Sequence, residues 1–399
     1  MKKIPKIIYI NQRSYGRFFP EEGTDYFYLF GVGHFLAEQI LDNCDGLLLE
    51  NWRCDKTLRR KMSKSVKGIN CRIFPSFYSK RFGELSFSLL NDLSKEMKDN
   101  YVVLHLMGLH TNLCSLIAWL FRKYPIVGTH LGGANFRFKY DKTRKARSLV
   151  RDKIEKRILR YYDHILVQTE TERDYLLNSL GAKSISRASI YGLDFDIFRR
   201  RDKYSSRKTL NWPLDKKIIL SVGRAYHNKG IGFVLDAFSK LKDEGILLCM
   251  VSIHPSDPLY SEVVRSGASF AGDVDYFRLP LYYSAADLLI YLPFDDESLH
   301  FAGPGYVNIE SLACGTPVVS TLLRHFPDPD INKVSRVPYK QEDVVPMVKE
   351  LLNNPPSPMD CRQIACKYYN WYTILGHHTE IYENLFQRYY DCKVTFGTK

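Results

Sequence analysis

The sequence predicts an α/β protein built on two parallel sheets. Short apolar runs typical of buried strands alternate with longer helical stretches along most of the 399 residues. The length suits two to three domains, and 45% hydrophobic with 25% charged residues is the composition of a globular protein with a sizeable core. We expect two Rossmann-like halves of similar size, with ligands bound beyond the carboxyl ends of the strands.

The elements of the first half are predicted from these patterns in chain order. Apolar runs predict strands over residues 6–10, 46–50, 101–106, 126–129 and 165–168. The stretches between and after them predict helices over residues 25–41, 85–97, 111–122, 146–162 and 170–180. Polar residues follow the first apolar run after a few positions, so this run is predicted to be a strand and not a signal peptide.

The second half repeats the alternation, and a polar segment separates it from the first. Its predicted strands cover residues 218–222, 246–251, 288–292 and 318–320. Residues 203–213 are polar and charged and end in proline, so this segment is the best candidate for a linker. The sequence therefore predicts a domain boundary between residues 204 and 205, with a hinge there.

The net charge of +13 is concentrated in two basic runs. Residues 137–160 hold eleven Lys or Arg against three Asp or Glu, and a second run covers residues 53–81. These runs are either solvated faces or surfaces that attract an anionic membrane. A nucleic-acid partner is not expected, because the runs lack interleaved aromatic residues and no helix-turn-helix or RNA-binding signature is present.

The cysteine pattern and the hydropathy indicate a cytoplasmic protein. The nine cysteines are scattered and form no CxxC pair, which favours free thiols in a reducing compartment. The longest apolar window, residues 113–121, is far shorter than the roughly 20 residues that span a bilayer. We therefore expect no membrane-spanning segment.

Two motifs of the second half suit a ligand with phosphates and a hydroxylated ring. Gly223 and Arg224 follow a predicted strand, and Lys229 stands five residues after Arg224. Further on, Gly305 opens a helix that contains Glu310. Cations beside a strand end and the free amides of a helix start bind phosphate oxygens, and a carboxylate accepts hydrogen bonds from vicinal hydroxyls. A nucleotide-sugar is such a ligand, with the amides of Tyr306 and Val307 as further phosphate contacts.

Two loops of the first half are further candidates. His130 follows a predicted strand, so we expect its side chain at the carboxyl edge of the first sheet. A glycine-rich loop after the first strand is expected to line the binding site. Its candidates are Gly23 with Thr24, which can cap the next helix, and alternatively residues 31–33.

Together these motifs resemble those of a retaining glycosyltransferase of the GT-B fold, family-4 type (glycosyl transferases group 1). The spacing from Gly223-Arg224 to Lys229-Gly230 matches that family in full. The acidic helix with its exit from Glu310 to Pro317 is similar to the family's pattern as well. Further similar segments are residues 127–130, 191–198, 271–293 and 370–386.

The resemblance implies two Rossmann-like domains that face each other across a cleft. Residues 1–204 would bind the acceptor, residues 205–375 would bind the nucleotide-sugar, and a helix over residues 376–399 would return to the first domain. Arg224 and Lys229 would contact the diphosphate. Glu310 would accept hydrogen bonds from the ribose, and His130 would lie close to the transferred sugar. No bound metal and no cofactor beyond the nucleotide-sugar co-substrate are implied.

The sequence departs from the family pattern at one position. The family usually carries a second glutamate eight residues before Glu310, where this chain has Ala302. Glu297, in an acidic loop, is a candidate to replace the missing carboxylate. The pattern Asp-Phe-Asp at residues 194–196 resembles a metal-binding motif of another glycosyltransferase fold, but it lies in the segment already matched.

The function that these observations predict is transfer of a sugar from a nucleotide-sugar to a glycan or lipid-linked acceptor, in the synthesis of a cell-surface polysaccharide or glycolipid. The protein would be cytoplasmic and would bind the inner face of the membrane peripherally. Because of Ala302, a non-catalytic subunit that binds a nucleotide-sugar or scaffolds a complex is the alternative. A nucleotide-sugar epimerase of the same fold is a second enzymatic alternative.

Overall fold

The computed structural model describes residues 3–11, 40, 47–66, 69–79, 83–109, 111–130, 153, 156–180, 184–187, 192–294 and 303–394. The chain forms two compact units. Unit 1 contains Met1–Gly192 and Trp371–Lys399, and unit 2 contains Leu193–Asn370. The sequence predicted these boundaries at 204/205 and 375/376, so unit 2 begins and ends earlier in the chain than expected.

Unit 1 contains one eight-stranded sheet in the order β10-β9-β8-β7-β1-β2-β4-β3. Neighbouring strands are parallel except for the β3–β4 pair. A separate two-stranded antiparallel sheet is formed by β5 and β6. The strands are β1 (Pro5–Asn11), β2 (Leu48–Asp55), β3 (Met62–Val66), β4 (Ile69–Pro75), β5 (Phe77–Ser79), β6 (Gly83–Leu85), β7 (Tyr101–Met107), β8 (Ile126–Thr129), β9 (His164–Val167) and β10 (Ile185–Arg187).

Three described helices in the first part of unit 1 begin where side chains accept hydrogen bonds from the first free amides. They are α1 (Phe87–Asp99), α2 (Asn112–Leu120) and α3 (Glu170–Tyr175), which continues into a π-helical turn, Leu176–Leu180. The caps are Ser86, Thr111 and Thr169. The predicted strands in these regions and the helices over residues 85–97, 111–122 and 170–180 are confirmed to within a few residues, whereas β3 to β6 and β10 were not predicted. The predicted helix over residues 25–41, apart from residue 40, and the first part of the one over residues 146–162 lie outside the described residues.

Unit 2 contains a six-stranded, fully parallel sheet in the order β13-β12-β11-β14-β15-β16. Its strands are β11 (Lys217–Val222), β12 (Ile246–Val251), β13 (Ser269–Ala271), β14 (Leu288–Tyr291), β15 (Val318–Ser320) and β16 (Ser335–Arg336). Its helices are α4 (Lys203–Leu210), α5 (Ile231–Ser239), α6 (Tyr260–Ser266), α7 (Leu279–Ala285), α8 (Tyr306–Ala313), α9 (Ile331–Val334), α10 (Val344–Asn353) and α11 (Pro358–Tyr369). The predicted α/β class with parallel sheets is confirmed.

The last helix, α12 (Trp371–Tyr390), packs on the sheet of unit 1. It begins at Trp371 and not at the predicted residue 376. Tyr382 on its buried face joins a hydrogen-bonded group, with its hydroxyl 3.1 Å from that of Tyr9 and 2.5 Å from Nδ1 of His105. These polar groups are fully buried, and buried polar groups need hydrogen-bond partners. Their mutual hydrogen bonds therefore allow this face of α12 to pack in the core.

The segment predicted to be a linker is helix α4 of unit 2. The Asp202 side chain caps it by accepting a 2.8 Å hydrogen bond from the amide of Ser205, and Asn211 ends it in the left-handed conformation. Arg207 is buried and donates to Asp287 at 2.7 Å and to the carbonyl groups of Ala285, Pro213, Leu214 and Lys216. The polar composition of this segment therefore reflects a hydrogen-bonded helix and not a flexible connection.

No described helix of the protein combines the length and the apolar character that a bilayer span requires.

Replacement of Arg207 by alanine is expected to destabilise unit 2 by about 1–3 kcal/mol, because four carbonyl groups lose this donor and Asp287 keeps only Lys203 and the amide of Ile218. Lys208→Ala on the exposed face of the same helix is the control and is expected to change stability by less than about 0.5 kcal/mol. The measurement is the urea midpoint followed by circular dichroism. Equal midpoints for the two variants would contradict the role assigned to Arg207.

Candidate functional site

The carboxyl end of β11 presents the first candidate residues. Gly223 follows the strand with φ of 132°, in the region that favours glycine, and its amide donates to the carbonyl oxygen of Val251 at 2.9 Å. This bond holds the ends of β11 and β12 together beyond the sheet. The next residue, Arg224, therefore leaves the sheet at its carboxyl edge, as the sequence predicted.

Arg224 is oriented by a buried carboxylate that the sequence analysis did not identify. Its Nε donates to Oδ1 of Asp257 at 2.6 Å, and its Nη2 lies 2.5 Å from the same oxygen. The second oxygen of Asp257 accepts hydrogen bonds from the amides of Ala225 and His254 at 2.9 and 3.0 Å. The Arg224 side chain remains 40% exposed, so its guanidinium is held on one edge and open on the other.

The same contacts set the charge of Asp257. Burial raises the pKa of its carboxyl, and the hydrogen bonds from Arg224 and the two amides more than offset this, so the pKa lies below its usual value. The carboxylate is thus charged at neutral pH and fixes the cation. Asp257 lies in the loop that follows β12, so the rule that ligands bind beyond strand ends would have identified it.

Lys229 is held near this edge by the glycine that follows it. Residues His227–Lys229 form an exposed 3₁₀ turn, which Gly230 ends with φ of 72°. A Cβ atom on Gly230 would lie 1.9 Å from the carbonyl oxygen of Leu292, just beyond β14. Only glycine permits this approach, and it positions the Lys229 turn beside the carboxyl end of β14.

The start of α8 lies at the same edge. Gly305 precedes the helix with φ of 78°, and no side chain caps the amides of the first turn. The start of this helix, at Tyr306 and Val307, favours an anion through the positive end of the helix dipole. Asn308 anchors the turn, since its Nδ2 donates to Pro304 at 2.6 Å and to Oγ of Ser320 at 2.9 Å.

Glu310 occupies the next turn of α8 and is 5% exposed. Its Oε2 accepts a 2.6 Å hydrogen bond from the hydroxyl of Tyr283 on α7. Burial raises the pKa of Glu310 to about 7, against the opposing effect of the Tyr283 bond. Glu310 is therefore a carboxyl group that changes charge near neutral pH, with one oxygen held by tyrosine.

The exit of α8 fixes Tyr283 in turn. Thr316 follows the helix, and its hydroxyl donates to the main-chain oxygen of Tyr283 at 2.7 Å. The hydroxyl of Ser311 donates to the carbonyl of Thr316 at 3.0 Å. The Gly-Thr-Pro segment after α8 therefore links α8 to α7 by a hydrogen bond and sets the position of Tyr283 relative to Glu310.

The Asp-Phe-Asp segment has a local structural role. Oδ1 of Asp194 accepts hydrogen bonds from the amides of Asp196 and Ile197 at 2.8 and 3.0 Å. Arg362 of α11 donates to the carbonyl oxygens of Phe195 and Phe198 at 2.7 Å each. Across the described parts of the chain, no group of three or more His, Cys, Asp or Glu side chains is arranged to hold a metal ion.

His130 lies at the end of β8 in unit 1 and is almost fully buried. Its amide donates to Leu166 at 2.9 Å, and its Nδ1 contacts Oε1 of Glu172. The other oxygen of Glu172 accepts the amide of Gln168 at 3.1 Å. A buried carboxylate therefore lies against the imidazole, which the sequence did not predict.

The structure thus assembles the candidates into two groups. The first group lies at or near the carboxyl edge of the unit 2 sheet and contains Gly223, Arg224, Lys229 and residues 305–310. The second consists of His130 in unit 1. The remaining candidates lie outside the described residues. They are Gly23, Thr24, the alternative loop at residues 31–33, Glu297 and the position of Ala302.

Comparison with known proteins finds similar sequences and structures. Residues 202–368 match the family model described as glycosyl transferases group 1. D-inositol 3-phosphate glycosyltransferase of Mycobacterium tuberculosis (strain ATCC 25618 / H37Rv) is 28% identical over 182 residues. That match covers 43% of this chain and 37% of the mycobacterial protein.

Solved structures resemble the whole chain. Sucrose-phosphate synthase (tll1590) from Thermosynechococcus elongatus superposes with a TM-score of 0.70 at 20% identity, covering 96% of this chain and 100% of that one. Anabaena Alr3699/HepE in complex with UDP-glucose gives 0.66 at 13% identity, covering 94% and 98%. These likenesses confirm the predicted GT-B fold.

Gly230→Ala is expected to destabilise unit 2 by several kcal/mol, because its Cβ would overlap the backbone at Leu292 and alanine disfavours this φ. Gly232→Ala, two residues on in α5 with open space around its Cβ, is the matched control and is expected to be neutral or stabilising by up to about 1 kcal/mol. The check is the urea midpoint of each variant. Similar midpoints would show that the close approach is not required.

Proposed function

We propose, from the match of residues 202–368 to the group 1 glycosyl transferases, that the chain transfers a sugar from a nucleotide-diphosphate sugar to an acceptor hydroxyl. The acceptor is a glycan or a lipid-linked glycan, in the synthesis of a cell-surface polysaccharide or glycolipid. The observation that carries this proposal is the Arg224 guanidinium, which Asp257 orients while one edge stays open.

The charges of the site support a diphosphate ligand. Arg224 and Lys229 bring two cations to the carboxyl edge of the unit 2 sheet, and the start of α8 adds amides with the positive end of the helix dipole. A leaving nucleoside diphosphate gains negative charge in the transition state, so fixed donors aimed at it lower the barrier. UDP is the first nucleotide to test, because the HepE structure contains UDP-glucose.

Glu310 supports recognition of the ribose. Tyr283 occupies Oε2, and among the described residues no other hydrogen bond reaches this carboxylate. An ionised carboxylate accepts hydrogen bonds from two vicinal hydroxyls, which a ribose supplies. In this proposal the phosphates lie close to the main chain at the start of α8, at Gly305, Tyr306 and Val307. Gly223, which has no side chain, leaves room beside the phosphates.

The reaction is proposed to retain the anomeric configuration without a bound metal, as the family resemblance implies. The acceptor hydroxyl forms the new bond at the anomeric carbon on the face from which the diphosphate departs. Its proton passes to the departing phosphate, so no protein general base is required. His130 remains the proposed catalytic contact of the transferred sugar, and Glu172 would hold its ring.

A non-catalytic role remains the second candidate because of Ala302. Loss of the first motif glutamate removes a donor-sugar contact, and Glu297 is the proposed replacement. An active enzyme releases nucleoside diphosphate when the nucleotide-sugar and an acceptor are supplied. If a bound nucleotide-sugar is neither transferred nor hydrolysed with any acceptor, the binding-subunit function replaces the enzymatic one.

We also propose a cytoplasmic location at an anionic membrane surface. Eight cysteines in the described part of the chain are free thiols, which suits a reducing compartment. The basic composition favours attraction to anionic lipid.

Arg224→Ala is expected to weaken UDP or UDP-glucose binding by about 30- to 150-fold, equivalent to about 2–3 kcal/mol, because a charge-assisted contact to the diphosphate is lost. Arg265→Ala is the control, since Arg265 lies in the same unit with a 74% exposed side chain. Isothermal titration calorimetry measures both affinities. Unchanged affinity in the Arg224 variant would remove the diphosphate assignment.

The affinity for UDP-glucose is expected to fall about tenfold per pH unit below about pH 7, the pKa to which burial raises Glu310. The sign follows because binding to the ribose requires the ionised carboxylate, which is lost as the pH falls through this value. UDP-glucose is the suitable ligand because its diphosphate does not titrate near neutral pH. Calorimetric titrations between pH 5.5 and 8.5 provide the profile, and Glu310→Gln should flatten it.

Tyr283→Phe tests the same carboxylate through its partner. The Tyr283 bond lowers the pKa of Glu310, so its removal is expected to move the pH profile of binding upward. Tyr282→Phe is the matched control, because the neighbouring ring packs on Trp212 at 5.7 Å. Coincident profiles for the wild type, Tyr283→Phe and Glu310→Gln would contradict the ribose role.

A further inference from the structure

Two aromatic rings of unit 1 are exposed side by side, and a third exposed ring follows one of them in the chain. Phe77 and Tyr78 on β5 and Phe87 at the start of α1 are 44%, 70% and 72% exposed. The rings of Phe77 and Phe87 lie 5.5 Å apart, so they form one apolar cluster and are not scattered surface residues. Contiguous exposed apolar surface is unfavourable in water and marks interaction sites.

Three cations flank this cluster. Lys56, Arg59 and Arg60 lie in the loop between β2 and β3 and are all exposed. Within the described residues, Lys61 of this loop pairs with Asp92 of α1 at 2.8 Å, which ties the loop to the helix that carries Phe87. A single structural unit therefore carries both the aromatic and the basic side chains.

Backbone and side-chain hydrogen bonds fix these parts at one sheet edge. The amide of Ser76 donates to the carbonyl of Asp55 at 3.1 Å, so the basic loop and β5 start from adjacent points. The hydroxyl of Ser86 donates to the carbonyl of Pro75 at 2.7 Å and brings the start of α1 to the same point. Asp55 and Pro75 end β2 and β4, so the whole assembly lies at their carboxyl ends.

We propose that unit 1 carries a docking surface for an anionic lipid bilayer. This docking surface is formed by Lys56, Arg59, Arg60, Phe77, Tyr78 and Phe87. Aromatic side chains are favoured at the depth of the headgroups, and cations beside them attract anionic lipid. A protein surface that combines the two binds by burying the rings while its charges stay at the phosphates.

The position of the docking surface has a consequence for the acceptor. It lies at the carboxyl edge of the unit 1 sheet, the edge at which β8 also ends before His130. A lipid-linked acceptor in the bound membrane would then present its glycan toward that edge. This consequence rests on the proposed function, whereas the docking surface itself does not require catalysis.

The acidic side chain of Glu84 lies in the same region, but it does not cancel the positive charge of the exposed cations. Glu84 on β6 accepts a hydrogen bond from the hydroxyl of Ser76 at 2.7 Å. It is partly buried, whereas the three cations are exposed. The exposed charge of the docking surface is therefore basic.

The test is co-sedimentation of the full chain with vesicles of phosphatidylcholine alone and of phosphatidylcholine with phosphatidylglycerol. We expect the wild type to bind the anionic vesicles at least tenfold more tightly. Tyr78→Ser with Phe87→Ser should reduce this binding by at least tenfold. The matched control is Phe277→Ser with Tyr339→Ser, which removes two rings of unit 2 that are 55% and 71% exposed, and it should change binding less than twofold.

A second pair of variants separates the two contributions. Arg59→Ser with Arg60→Ser should weaken binding to the anionic vesicles and reduce its sensitivity to salt. If the wild type does not prefer anionic vesicles, or if the aromatic and control variants bind alike, the proposal is overturned. Binding to heparin as strong as to vesicles, and insensitive to the aromatic changes, would assign the surface to a polyanion instead.

The same variants distinguish this inference from the proposed function. Their UDP-glucose affinity, measured by calorimetry without vesicles, should equal that of the wild type. Normal nucleotide binding by the wild type without vesicle binding would overturn only the docking surface, and vesicle binding by the wild type without nucleotide binding would overturn only the proposed sugar transfer.

Discussion

Asp257 lies where two strand-end loops of unit 2 meet, and its carboxylate satisfies both of them. One oxygen accepts from Arg224, and the other accepts the amides of Ala225 and His254. A long arginine side chain at a strand end would otherwise sample many rotamers, and ordering it would weaken any contact with a ligand. The buried carboxylate orders it before a ligand arrives, and the remaining features of the candidate site depend on that fixed cation.

The second organising feature is the connection from the exit of α8 to Glu310. Thr316 holds the main chain of Tyr283, and the Tyr283 hydroxyl holds one oxygen of Glu310. A carboxylate with one oxygen already occupied has a defined orientation, which suits recognition of a hydroxyl pair. The glycine, threonine and proline after the helix therefore contribute to the site without touching a ligand. Such a role explains why residues of a motif can lie well away from the chemistry.

The sequence predicted most of the parallel strands, including all the central ones of both sheets, because buried strands leave clear apolar runs. It failed at residues 203–213, where a charged segment is helical because Arg207 finds its partners elsewhere in unit 2. No local pattern reports such partners. The strands β3, β5 and β6 were missed because they are short and partly exposed. β4 has seven residues, but Asn70, Cys71 and Arg72 interrupt its apolar run in the sequence.

The candidate site was predictable to the extent that its residues follow strands or open helices. Gly223, Arg224, Gly305 and Glu310 satisfy that rule. Asp257 and Tyr283 act by holding other residues, and that role depends on distances between segments far apart in the chain. The composition predicted that unit 1 is basic. It could not predict that the side chains of Phe77, Tyr78 and Phe87 are exposed near basic residues.

The most direct measurement of the central claim is a crystal structure of the protein with bound UDP-glucose. The account predicts phosphate oxygens within hydrogen-bond distance of Arg224 and Lys229, and ribose hydroxyls at Glu310, with the contacts between Asp257 and Arg224 unchanged. A nucleotide bound elsewhere, or a phosphate group that leaves Arg224 without contact, would contradict it.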